Sequence, residues 1–175
     1  GHFLKKAQHE PILLFQDGQL IGWGSGDVKN VLKSANEAVI NDEVKKRENL
    51  TWKELSDIIA YEWLEKFVDT GVTEEIVKDL NKRISWIEYR RALMHSKKGH
   101  PYWREVADAK SLSHPDLKTT YVISHLLAIG ALEGLKRCKL SDCRKFFIGP
   151  PNRTWCSKPC GSLFRVRQKR KKDKY

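Results

Sequence analysis

CKLSDCRKFFIGPPNRTWCSKPC, residues 138–160, contains all four cysteines of the 175-residue chain, arranged Cys138-x4-Cys143-x12-Cys156-x3-Cys160. Each close pair can reach one tetrahedral ion through a short knuckle, and the twelve residues between the pairs are enough to fold back as a hairpin. Four sulfurs about 2.3 Å from a Zn²⁺ fill its coordination sphere and leave no position for water, so the expected ion is structural and not catalytic. The competing pattern is a pair of disulfides in a secreted domain. The other 152 residues hold no cysteine and are apolar enough to build a core of their own, which favours the metal. Reduced thiolates in turn predict a cytoplasmic, reducing location.

Beside the ligands sit Phe146, Phe147, Trp155 and Phe164, the expected mini-core beneath the metal, because a module this small must use every apolar group it has. Exposure of any of these rings would instead suit stacking on bases. After Cys160 the chain turns strongly cationic: seven of the ten residues from Arg165 to Lys174 are Lys or Arg. Residues 136–175 carry 14 of the 33 Lys+Arg and 2 of the 22 acids, a net +12, while the remainder carries −1. A polyanion-binding surface follows, with Arg144, Lys145, Arg153, Lys158, Arg165, Arg167, Lys169, Arg170, Lys171 and Lys172 as candidate phosphate contacts. As a helix the terminal run repels itself at i,i+4, so the sequence predicts a frayed tail that a polyanion would order.

Upstream, periodicity predicts a mainly α domain of four to five helices over residues 1–137, preceded by a β-hairpin, with the four-cysteine finger and its basic tail forming residues 138–175. The hairpin joins Ile12–Phe15 to Gln19–Trp23 through Asp17-Gly18, a tight-turn signal. The glycines of Gly22–Gly26 match neither a dinucleotide fingerprint nor a P-loop, and Asp27 reads as the N-cap of a first helix along Val31, Leu32, Ala35 and Val39, fading into Asn41–Asn49. Thr51 and Glu54 form a capping box for a second helix with stripe Leu55, Ile58, Ile59, Trp63 and Phe67. A third helix runs from Thr73 through Ile84 and Ile87 to His95, closed by Gly99-His100-Pro101. A short helix at Trp103–Ala109 and a long one from Leu117 to Arg137 complete the set. The long helix buries Tyr121, Ser124, Leu127, Ala128, Ala131 and Leu135 and runs straight into the finger.

The run Leu135-Lys136-Arg137-Cys138, Asp142-Cys143, Phe147, Arg153-Thr154-Trp155-Cys156-Ser157 and Cys160-Gly161 resembles the CGNR-type zinc finger. In that family the finger follows a helical region, the ABATE domain, in proteins described as stress-induced transcription regulators. The resemblance implies zinc ligation by Cys138, Cys143, Cys156 and Cys160, an ABATE-like character for the helical region, and DNA as the partner. The family places four residues between its second cysteine pair and follows it with Gly-Asn-Arg. This chain has three residues and then Gly161-Ser162-Leu163, so the family's Asn-Arg pair has no counterpart.

A DNA-binding transcription regulator with a sensory or dimerising N-terminal domain is therefore the expected function. An RNA-binding or ribosome-associated protein and a zinc-stabilised adaptor are the alternatives, since phosphate attraction alone does not separate DNA from RNA. A homodimer would bring two half-sites. No enzyme is expected: His95, His100, His114 and His125 lack the spacing of a catalytic metal site or nucleophile pair, and Glu62 and Glu65 read as solvent-side acids of the second helix. The longest apolar runs fall far short of the roughly 18–20 residues of a membrane span, which excludes a membrane helix. Gly1-His2-Phe3 has no initiator methionine and reads as either an appended or an excised start, so location rests on the cysteines.

Overall fold

The computed structural model describes residues 11–25, 28–40 and 49–173, without side-chain detail at 11, 21–25 and 39–40. The Asp27 cap and most of the Asn41–Asn49 stretch lie outside the described residues. Strands β1 (Pro11–Gln16) and β2 (Gln19–Ser25) form the expected hairpin. Its turn places Asp17 and Gly18 at φ 51° and 80°, the left-handed pair that an Asp-Gly turn supplies.

Three helices follow: α1 (Val28–Ile40), α2 (Trp52–Thr70) and α3 (Glu74–Ile84). The capping box at Thr51 and Glu54 is present, with Glu54 N–H donating to the Thr51 hydroxyl at 3.1 Å and Thr51 N–H to the Glu54 carboxylate at 3.2 Å. Thr73 caps α3 by accepting from Ile76 N–H.

The mainly α expectation fails over residues 85–110. Tyr89–His95 and Pro101–Asp108 are strands β3 and β4, an antiparallel hairpin, where the sequence reading had helix. Together with β1 and β2 they form a four-stranded sheet in the order β2-β1-β4-β3, in which β1 runs parallel to β4. The fold is thus a helical layer plus a sheet. The helix stops at Ile84 because Ser85 closes it, while Ile87, whose spacing suggested another helical turn, is buried under the sheet with Ile12, Leu14, Ala107 and Leu112. Gly99, at φ 83°, turns the hairpin instead of ending a helix. A short 3-10 turn, Ala109–Leu112, capped by Asp108, leads into α4 (Pro115–Ala128).

Helix α4 also ends earlier than expected, because Gly130 and Gly134 both adopt positive φ and reverse the chain. Leu135–Arg137 becomes strand β5, paired with β6 (Phe146–Ile148), and α5 (Lys158–Lys172) closes the chain. The buried face of α4 is Thr120, Ile123 and Leu126, beside the predicted one. That face packs on α1, α2 and α3 in one core with Val31, Ala35, Ile59, Trp63, Leu64, Phe67, Ile76 and Leu80. Its other side, Leu117, Tyr121 and Val122, meets the core beneath the sheet. α4 is therefore sandwiched between the two layers. Among the described residues no helix is long and apolar enough to cross a membrane.

The buried Asp57 and Thr120 and the indole of Trp63 are partnered, as burial requires. The indole N–H of Trp63 donates to Thr120 Oγ1 at 3.2 Å, Thr120 donates to Asp116 at 3.4 Å, and Arg83 donates to the same carboxylate at 2.9 Å. Asp57, on the buried face of α2, accepts from Ser34 at 2.5 Å and from Lys53 at 2.9 Å.

Candidate metal centre and basic helix

The tight turn at Gly134 places β5 against β6. Gly149 N–H donates to Gly134 C=O at 3.2 Å, and a Cβ at Gly134 would meet that Gly149 carbonyl oxygen at 2.7 Å, so only glycine fits. Cys138 follows β5 directly. Its N–H donates to Lys145 C=O at 2.8 Å, while Cys143 and Arg144 N–H both turn back to Leu140 C=O. Arg144, at φ 52°, completes this first knuckle. The second pair straddles the start of α5: Ser157 is the N-cap, its hydroxyl accepting from Cys160 N–H at 3.4 Å, and Pro159 lies in the first turn.

One ligand atom from each of Cys138, Cys143, Cys156 and Cys160 lies within 4.8 Å of the other three. Cys143 and Cys156 sulfurs stand 3.5 Å apart and Cys156 and Cys160 3.6 Å. Sulfurs placed at about 2.3 Å on a tetrahedral ion stand about 3.8 Å from one another, so the cluster matches the size of a Zn²⁺ site. All four cysteines are free thiols. Burial pushes the Cys156 thiol up to about 12 and raises Cys143, whereas the Ser157 hydroxyl lowers Cys160. Crowded, partly buried thiols resist carrying several negative charges together, and a divalent cation at their centre supplies the missing compensation. The four cysteines fit a structural zinc site, in which their thiolates would fill the coordination sphere.

The aromatic residues divide between two cores. Phe147, Trp155 and Phe164 pack with the cysteines and Leu140, as expected. Phe146 does not: it points the opposite way, into the core of the helical body, 2% exposed and edge-on to Tyr61 with ring centroids 5.6 Å apart. Leu135 and Ile148 pack on that core too. Asn36 of α1 secures the contact with both ends of its amide. It accepts from Phe146 N–H at 2.7 Å and donates to Phe146 C=O at 3.1 Å, occupying the edge of β6 that β5 leaves open. Arg137 adds an ion pair to Glu65 at 3.2 Å and lies 4.8 Å over the Phe146 ring. Glu65 is therefore the anchor of this contact and not a solvent-side acid.

The basic run is ordered as helix through Lys172, against the expectation of a frayed tail. Three causes are visible. The ligand Cys160 pins its first turn; Gly161, where a Cβ would meet the Trp155 ring at 3.2 Å, lets the helix lie close on that ring; and Arg167 pairs with Asp142 at 2.7 Å. Lys169, Arg170, Lys171 and Lys172 also occupy the last turn, the end where a helix dipole favours positive charge.

The ten cations named from the sequence do not act alike. Arg153 is a structural tie, donating to Trp155 C=O at 3.0 Å and to Cys156 C=O at 2.5 Å. Arg167 is committed to Asp142, whose carboxyl it holds below its ordinary range together with Ser141. Arg165 lies over the Trp155 ring at 5.7 Å. Arg144, Lys145, Lys158, Lys169, Arg170, Lys171 and Lys172 are exposed. The sequence reading passed over Lys139, exposed beside the first ligand and 5.8 Å over the Phe164 ring, and over Leu163 and Val166, which are exposed on α5.

The four histidines do not assemble into a metal cluster; the cysteine site is the one group of three or more such ligands among the described residues. His114 instead caps α4, its Nδ1 accepting from Asp116 N–H at 3.1 Å. No curated protein matches the chain. Residues 135–173, from the start of β5 to the end of α5, match the family model of the CGNR zinc finger, so this chain carries a zinc-binding segment similar to that family.

Proposed function

We propose that the protein binds DNA through α5 and regulates transcription, and that it is a binding protein and not an enzyme. The observation that carries this reading is a 15-residue cationic helix fixed at its first turn by a metal ligand. Helical spacing directs Val166, Lys169 and Arg170 away from Phe164 and sets the exposed Leu163 beside Val166, giving an outward face of two apolar side chains and two cations. A single helix enters the major groove of B-form DNA, where cations meet phosphates or guanine edges and apolar groups meet thymine methyls. The deep, narrow major groove of an RNA duplex excludes such a helix, which favours DNA over RNA. Zinc's part is to hold the frame.

The test is binding to a duplex DNA pool across a salt series. Neutralising about six phosphates gives a slope of log K on log salt near −5. Changing Lys169, Arg170, Lys171 and Lys172 together to Gln should weaken binding and flatten the slope, and chelation of the zinc should abolish binding. Equal affinity and slope in the quadruple variant would remove α5 from the interface.

A further inference from the structure

The charge of the chain has a second concentration that its net balance conceals. From Arg90 to Arg104 there are five Lys or Arg, two His and no acid. The structure folds this run into the β3–β4 hairpin. β1 meets β4 only at Leu14↔Ala107 and Phe15↔Asp108, so the pairs from Arg91↔Glu105 to His95↔Pro101 extend past the sheet as a two-stranded ribbon. Alternation separates the ribbon's faces. One holds Ala92, buried at 7%, and Val106, buried at 1%; the other sets Leu93 directly opposite Trp103, and these are 62% and 63% exposed. Tyr102, beside them in sequence, is 45% exposed, and Lys97 and Lys98 form the tip.

A large ring and a leucine side by side in water on a free ribbon cost stability, and such patches mark contact surfaces. The surrounding charge selects the partner. A second copy docking tip to tip would bring Lys97 and Lys98 against their own counterparts, with no acid between Arg90 and Arg104 to offset them, which opposes self-association. A strand of phosphates bearing unstacked bases satisfies both properties: the cations meet the backbone and the exposed ring offers a base its face. We infer that the β3–β4 ribbon is a second nucleic-acid contact, one that binds unpaired bases by stacking on Trp103 with Leu93 beside it and Lys97 and Lys98 on the phosphates. This surface shares with α5 only the class of partner and stands or falls separately.

The experiment uses the full zinc-loaded chain and a labelled single-stranded oligothymidylate, with duplex DNA in parallel. Trp103→Ala should weaken single-strand binding by at least about fivefold, the lower end of what one stacked base is worth. It should leave duplex binding through α5 unchanged. Lys97→Gln with Lys98→Gln should flatten the single-strand salt slope by up to about 0.7 for each phosphate lost. Trp52→Ala, which removes an equally exposed tryptophan from α2, should change neither. The quadruple Gln variant of α5 separates the two readings, because it should lose duplex binding and keep the Trp103-dependent part of single-strand binding. Single-strand affinity unchanged in Trp103→Ala overturns the inference, as does a dimer in the parent chain that Trp103→Ala splits without loss of single-strand binding.

Discussion

Replacing Asn36 by Ala tests how the zinc finger is attached to the rest of the chain. The side-chain amide makes two hydrogen bonds to the backbone of Phe146, at 2.7 and 3.1 Å, in a partly buried seam 110 residues away in sequence. Two such bonds contribute about 1 kcal/mol each, and stripping the partner from a buried N–H or C=O adds a desolvation cost of about 1–3 kcal/mol. Water reaches part of this seam, so we expect a loss of about 2–3 kcal/mol. For a chain of this length that lowers Tm by roughly 5–10 °C. Denaturant unfolding of the zinc-loaded protein, followed by tryptophan fluorescence, gives the energy. Transfer of zinc to a coloured chelator gives the second readout, and it should quicken, because the strand before the ligands of α5 has lost its brace. Lys33→Ala, an exposed change on the same helix, should stay within about 0.5 kcal/mol of the parent. Should Asn36→Ala also stay within that margin, with zinc transfer unaltered, the amide is not what fastens the finger.

Three further outcomes are expected. Removing zinc with a chelator should unfold residues 135–173 and also lower the melting temperature of the helical body, since Phe146 belongs to that core; calorimetry showing an unchanged main transition would contradict this. Phe146→Ala should cost about 3–5 kcal/mol, the range for emptying a buried phenylalanine site, and a loss under about 1 kcal/mol in urea unfolding would show that the ring is not packed as described. Burial pushes the Tyr89 hydroxyl from its ordinary 10.0 up to about 12, so the folded state favours the neutral phenol. Its contribution is complete below pH 10.0 and is lost as pH rises toward about 12. Burial raises Tyr61 and Tyr121 as well, so difference absorbance should show several late-ionising tyrosines, one fewer in Tyr89→Phe, and ionisation of all tyrosines near pH 10.0 would refute the assignment.

The finger was legible because its signals are local. The ligand spacing acts within a few residues of where it stands, whereas Gly130 and Gly134, which end α4 and turn the chain into β5, were read as part of a helix. The Asp17-Gly18 turn and the Thr51 capping box were legible for the same reason as the ligands. The β3–β4 ribbon was not, because Ile76, Leu80, Ile84 and Ile87 continue a helical rhythm past the real end of α3. The alternation of a half-exposed strand is masked when its outward face carries Leu93 and Trp103. Gly99 and Pro101 pointed to a turn with a strand behind it, since proline suits the first residue of a strand. The frayed tail was mispredicted for a different reason: i,i+4 repulsion weakens an isolated helix, and here Trp155, Asp142 and the thiols that cluster with Cys160 hold it from outside the helix itself.

The burial of Phe146 among α1 and α2 bears on how this protein can be taken apart. A peptide cut at the family boundary, residues 135–173, would keep its four thiols but bare Leu135, Phe146 and Ile148 to water, and it would be sticky without polar replacements at those three sites. The complementary fragment would be left with an open socket beside Tyr61 and a dangling amide at Asn36. Excision therefore damages both pieces, and a stable minimal unit containing the finger has to bring α1 and α2 along with it.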